Sequence, residues 1–120
     1  MQFVSTRGQA PVLGFSDAVL AGLASDGGLY VPQSWPQLSA AEIAGFAGRS
    51  YADVAYAIIS RFTGDEIAPA RLKQIIDDAY AVFRHPSVAP LVELAPGHFV
   101  LELFHGPTLA FKDVAMQFLS

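Results

Sequence analysis

Two runs of apolar residues recur at helical spacing and lie close together in the chain. Tyr51, Val54, Ala55, Ile58, Ile59 and Phe62 mark one run, and Leu72, Ile75, Ile76, Ala79, Tyr80 and Phe83 mark the other. A period near 3.6 residues puts each set on one face of an amphipathic helix. Ser50 stands as an N-cap before the first run and Gly64 follows its end, while Pro69 suits the first turn of the second. His85-Pro86 closes the second run. The pattern predicts two antiparallel helices joined by a short turn, and any fold of this chain has to accommodate that pair.

The flanking segments are shorter. Residues 2–5 read as a strand and Arg7-Gly8 as a turn. A helix is expected from Ser16, its N-cap, to about Ala24, with Phe15, Val19 and Leu23 on one face. Asp26-Gly27-Gly28 turns the chain into an extended segment, Leu29-Tyr30-Val31, stopped by Pro32. Ser39 and Glu42 have the spacing of a capping box, which predicts a short helix ending near Gly48.

After Pro90 the character changes. Leu91–Leu94 and Phe99–Phe104 read as strands around a Pro96-Gly97 turn. His105-Gly106-Pro107-Thr108 breaks the second strand, and Phe111 to Leu119 reads as a helix. Strand, Gly-Pro loop and helix are the opening of an α/β unit. Residues 1–88 are therefore expected to form a mostly helical amino-terminal domain. Residues 89–120 would be a β-hairpin and the first helix of a larger domain, so this stretch is α+β within an α/β protein.

The chain has 120 residues, of which 52% are apolar and only 15% charged, against about 25% charged in an average protein. Such a composition suits a chain part of whose surface meets more protein. No apolar run approaches the ~18–20 residues of a membrane helix, and the amino terminus lacks the pattern of a signal peptide. The absence of cysteine excludes disulfides and thiolate metal sites and fits a cytoplasmic protein. A net charge of −4 without any basic run argues against nucleic-acid binding.

Candidate chemistry concentrates near the end. Lys112 stands at the predicted start of the last helix, flanked at i+3 and i+4 by Ala115 and Met116. A helix amino terminus disfavours a cation by about 0.3–1 kcal/mol. Burial and a positive helix end both favour the neutral amine, which can attack a carbonyl. Asp113 opposes this if its carboxylate turns toward the lysine. Residue chemistry alone leaves Lys112 either as this nucleophile or as a surface lysine at a helix start. His105, at a strand exit, either lines a ligand crevice or only orders its loop. His85 reads as a capping or solvated residue and His98 as an exposed turn residue. The three histidines lack metal-ligand spacing, so no metal site is expected. Ser5-Thr6-Arg7-Gly8 either binds an anion through arginine and turn amides or is a polar turn. No dinucleotide or P-loop fingerprint, Gly-x-Ser-x-Gly, cysteine nucleophile or usefully spaced carboxylate pair is present.

Three stretches in order resemble the threonine synthase family of bacterial and fungal type. They are Ser5-Thr6-Arg7-Gly8 with Gly22-Leu23-Ala24 and Asp26 to Pro32; Ala79-Tyr80, Phe83 and His85-Pro86 with Val88 to Leu91; and Leu101 to Asp113 around Lys112. The resemblance covers the whole chain. It implies a pyridoxal 5'-phosphate enzyme of fold type II, with Lys112 as the Schiff-base lysine and later as a proton shuttle. The implied activity is a carbon–oxygen lyase acting on phosphates, converting O-phospho-L-homoserine and water to L-threonine and phosphate in threonine biosynthesis. His105 and Thr108 would be neighbours of the site without an assigned step. In the family the chain runs well beyond the lysine helix, and that part carries the ring loop, the phosphate loop and most substrate contacts. This chain is therefore expected to be an amino-terminal fragment that pairs with the remainder of the catalytic domain. Alone, it is expected to lack cofactor and activity. Alternatives are a dehydratase of the same fold acting on serine or threonine, and a non-catalytic threonine-synthase-like interaction module.

Overall fold

The computed structural model describes all 120 residues. They form five helices and two small sheets, an α+β arrangement in the order β1 (Phe3–Ser5), α1 (Phe15–Ala21), β2 (Tyr30–Pro32), α2 (Ala40–Ala44), α3 (Tyr51–Thr63), α4 (Pro69–Ala81), β3 (Leu91–Ala95), β4 (His98–Leu101) and α5 (Asp113–Leu119). No helix is long and apolar enough to cross a membrane. The residues fall into two compact units. One comprises residues 1–47 and 57–69, and the other comprises residues 48–56 and 70–120. Helix α3 contributes residues to both.

In the first unit, β1 and β2 pair antiparallel with Phe3 opposite Pro32 and Ser5 opposite Tyr30. Pro32 fits because it ends the strand, where its missing N–H costs no ladder bond. Phe3, Ala18 and Ala24 are buried, and Thr63 is fully so. Residues 5–9 and 26–28 are tied together by hydrogen bonds to one side chain. Asp26 accepts from the Ser5 hydroxyl (2.8 Å) and from the amides of Gln9 (2.9 Å) and Gly28 (2.9 Å). The anion at the Ser5–Gly8 turn is thus the chain's own Asp26 carboxylate. Burial raises its carboxyl pKa, but the donors of Gly28, Ser5, Gln9 and Ala10 outweigh that and lower it. Gly28 is required here because a Cβ would overlap the Ser5 hydroxyl.

Helix α1 starts differently from expectation. Its N-cap is Gly14, not Ser16, and Gly14 offers no side chain. Glu66, distant in sequence, supplies the missing acceptor and takes the amides of Phe15 and Ser16, each at 2.8 Å. The helix also ends early, at Ala21, where Gly22 adopts φ 68°. The capping box is present as expected: Ser39 Oγ accepts from Glu42 N (3.2 Å), and Glu42 Oε2 accepts from Ser39 N (2.7 Å). Helix α2 stops at Ala44, short of Gly48, because the amides of Phe46 and Ala47 bond three residues back and tighten the last turn.

The second unit contains α4, the hairpin and α5. Leu72, Ile76 and Ala79 of α4 are buried, joined by Phe83 and Val88. Ser50 Oγ accepts from Asp53 N (3.1 Å), so the expected cap of α3 is formed. The β3–β4 hairpin turns at Pro96-Gly97, with Leu91 opposite Leu101 and a register shift between Glu93 and Ala95. Strand β4 ends at Leu101, three residues before Phe104. Glu102 N still bonds Pro90 O, but beyond it the chain breaks toward the His105 loop. His98 is exposed, inside β4 rather than in the turn.

Candidate active site

Residues 105–113 form one hydrogen-bonded loop leading into α5. Helix α5 begins at Asp113 and Lys112 is its N-cap residue, so the helix starts two residues later than the expected Phe111. The reason is local. Asp113 N bonds Ala110 O and Val114 N bonds Phe111 O, a three-residue spacing that keeps residues 110–112 in tight turns before four-residue spacing sets in.

Asp113 does not pair with Lys112. Its Oδ2 accepts the Thr108 amide and its Oδ1 the Thr108 hydroxyl, both at 2.8 Å. Gln117 Nε2 adds a longer contact at 3.4 Å. Burial pushes the Asp113 carboxyl pKa up, and the donors of Thr108, Gln117 and Leu109 outweigh it and hold it below the usual carboxylate range. Gly106 is buried, and a Cβ there would overlap the Asp113 side chain. Leu109 adopts φ 65°, a left-handed conformation uncommon for leucine.

The chain has two lysines, and their surroundings differ sharply. Lys73 lies 2.7 Å from Asp77 and 3.3 Å from Asp53. Asp77 first, then Asp53, raises its pKa and keeps it an ammonium ion. Lys112 is exposed and belongs to none of the ion pairs, which join Arg61 to Glu42, Lys73 to its two aspartates, and His105 to Glu102. Lys112 is therefore not buried as the neutral-amine reading supposed. It is a primary amine not tied to a carboxylate, the type of group that forms an imine with an aldehyde. The residue chemistry at this position fits an aldehyde cofactor.

His105 is committed within the loop. Its Nε2 lies 2.7 Å from Glu102 Oε2, and its carbonyl accepts the Arg84 amide. Its ring packs near those of Phe104 and His85. His85 in turn accepts the Ser87 amide through Nδ1 (3.1 Å), a bond within the turn that follows α4 rather than a cap of that helix, which ends at Ala81. Thr108 is joined to Asp113 as described.

Reading the residues alone missed four contacts. Glu102 faces His105 at i,i+3, a spacing that could have been flagged. Tyr80 donates its hydroxyl to Val114 O of α5 at 3.0 Å and packs edge-on against Tyr51, with ring centroids 4.8 Å apart. Burial first, then Tyr51, pushes its phenol up to about 12. No sequence signal marks that bond, nor the Glu66 cap.

Residues 2–80 match the family described as threonine synthase N terminus. The chain is 53% identical, over 119 residues, to threonine synthase of Pseudomonas aeruginosa, covering 99% of this chain and 25% of that protein. It is 46% identical over 120 residues to threonine synthase of Schizosaccharomyces pombe, covering 99% of this chain and 23% of that protein. The crystal structure of PLP-bound threonine synthase from Brucella melitensis superposes with a TM-score of 0.96 at 60% identity, over 99% of this chain and 26% of that one. The chain thus spans about a quarter of the length of the relatives it matches.

Proposed function

From a chain that belongs to the threonine synthase family, we infer the amino-terminal part of a pyridoxal-phosphate enzyme that makes L-threonine and phosphate from O-phospho-L-homoserine and water. The observation that carries this reading is the unpaired Lys112 amine, in a fold matching a PLP-bound threonine synthase. Residues 1–88 serve as the amino-terminal domain and 89–120 open the catalytic domain of a cytoplasmic enzyme. The remainder of that domain covers the exposed apolar side chains of the hairpin and of α5.

Lys112 would hold the cofactor through its Nζ, the side-chain amine at the loop end of α5. When bound, pyridoxal phosphate supplies an electron sink for negative charge at the substrate carbon. With its amine free, Lys112 Nζ would act as a general base at a fixed position, taking the substrate Cα proton and returning protons later. The cap position keeps this amine at the loop end of α5. His105 and Thr108 shape the loop around it.

The test is product analysis with the full-length protein. Incubation with O-phospho-L-homoserine and cofactor should release phosphate and threonine in equal amounts, and Lys112→Ala should abolish both. Ammonia release from threonine without phosphate release from phosphohomoserine would assign a dehydratase instead.

A further inference from the structure

Asp113 is the one charged residue that is buried, at 2% exposure, and the reaction as described gives it no role. An aspartate in the first turn of a helix is ordinarily accounted for by the helix dipole. That account explains neither its burial nor its partners. Both carboxylate oxygens are engaged by Thr108, through the amide and the hydroxyl, and Gln117 also reaches Oδ1. Gly106 lies against its Cβ. Between these anchors Leu109 is held in a left-handed conformation, which persists only where the surroundings over-determine it.

We propose that Asp113 is a positioning residue for the Lys112 amine. It ties the loop of residues 106–110 to the first residue of α5 and so fixes the backbone at Lys112. Because its acceptors are filled by Thr108 and Gln117, it does this without forming an ion pair with Lys112. The loop bond and the free amine are two consequences of one arrangement. The proposal rests on the reading of Lys112 as the attachment lysine.

Asparagine at 113 keeps the size of the side chain but replaces one acceptor with a donor, so the Thr108 amide and hydroxyl cannot both be accepted in their present arrangement. Misplacement of a reacting group by about 1 Å can cost on the order of 100-fold; partial loosening should cost about tenfold on the same scale. The experiment uses the full-length protein with two probes. Pyridoxal 5'-phosphate, fixed by borohydride, reports attachment at Lys112. Pyridoxamine 5'-phosphate, which has no aldehyde, reports the cofactor pocket without the lysine bond. In D113N, attachment at limiting cofactor should fall about tenfold while pyridoxamine phosphate affinity stays as in wild type. T108V should weaken attachment in the same direction, and T108S should restore it. Without cofactor, D113N should also speed hydrogen exchange at the Thr108 amide. Wild-type attachment in D113N, or an equal loss with both probes, would overturn the proposal. An unlabelled wild-type protein would overturn the reading of Lys112 and this proposal with it, whereas a labelled wild type beside an unaffected D113N would overturn this one alone.

Discussion

Asp26, Glu42, Glu66 and Asp113 each collect backbone N–H donors, and each is held below the usual carboxylate range. Glu42 is the clearest case. The Ser39 amide first, then Arg61, lowers it from 4.5 to about 2. A carboxyl whose folded pKa is depressed contributes stability above its unfolded pKa. The Glu42 contribution is therefore complete above pH 4.5 and lost as pH falls toward about 2. Denaturation across that window should show wild type losing more stability than Glu42→Gln, with the two curves converging at the acid end. Glu66 acts by the same physics over a long sequence separation. Glu66→Gln should speed amide exchange at Phe15 and Ser16 while leaving the Ser39 amide protected. At Gly106 the constraint is steric. Gly106→Ala forces the Asp113 side chain to move and should reduce attachment at Lys112 together with Thr108 amide protection.

At the scale of elements, what could be read from the chain was what local chemistry determines. The Ser39–Glu42 box, the Ser50 cap and the Pro69 start depend on residues within one turn, and each forms. Ser39→Ala should cost roughly 1 kcal/mol, measured by chemical denaturation. The period of α4 correctly marked Leu72, Ile76 and Ala79 as buried. Ile76→Ala, at 0% exposure, should cost about 2–5 kcal/mol in the same measurement. The period of α3 was equally regular, yet of its residues only Thr63 is buried and Ile58 is 36% exposed. Periodicity names a face, but burial depends on what the rest of the chain places against it. The start of α1 failed for a related reason: its cap comes from Glu66, which no local pattern connects to Gly14. The loop before α5 was half legible. Lys112 and its neighbours stood out in sequence, but the direction of the Asp113 carboxylate depended on Thr108, five residues back.

For the whole molecule, apolar composition foretold exposed apolar surface. Leu91, Leu94, Phe99, Leu101, Phe104 and Phe111 are each at least half exposed. Exposed apolar side chains in this number suit an interface, here with the proposed remainder of a catalytic domain. The purified 120-residue chain should accordingly bind a hydrophobic dye and form no threonine, whereas the full-length protein should bind the dye weakly. The central claim concerns one of two lysines. Its most direct test is borohydride reduction of the full-length protein with pyridoxal 5'-phosphate, followed by peptide mass mapping. The account predicts a pyridoxyl adduct on Lys112 with Lys73 unmodified. An adduct elsewhere, or none on a folded protein, would contradict it.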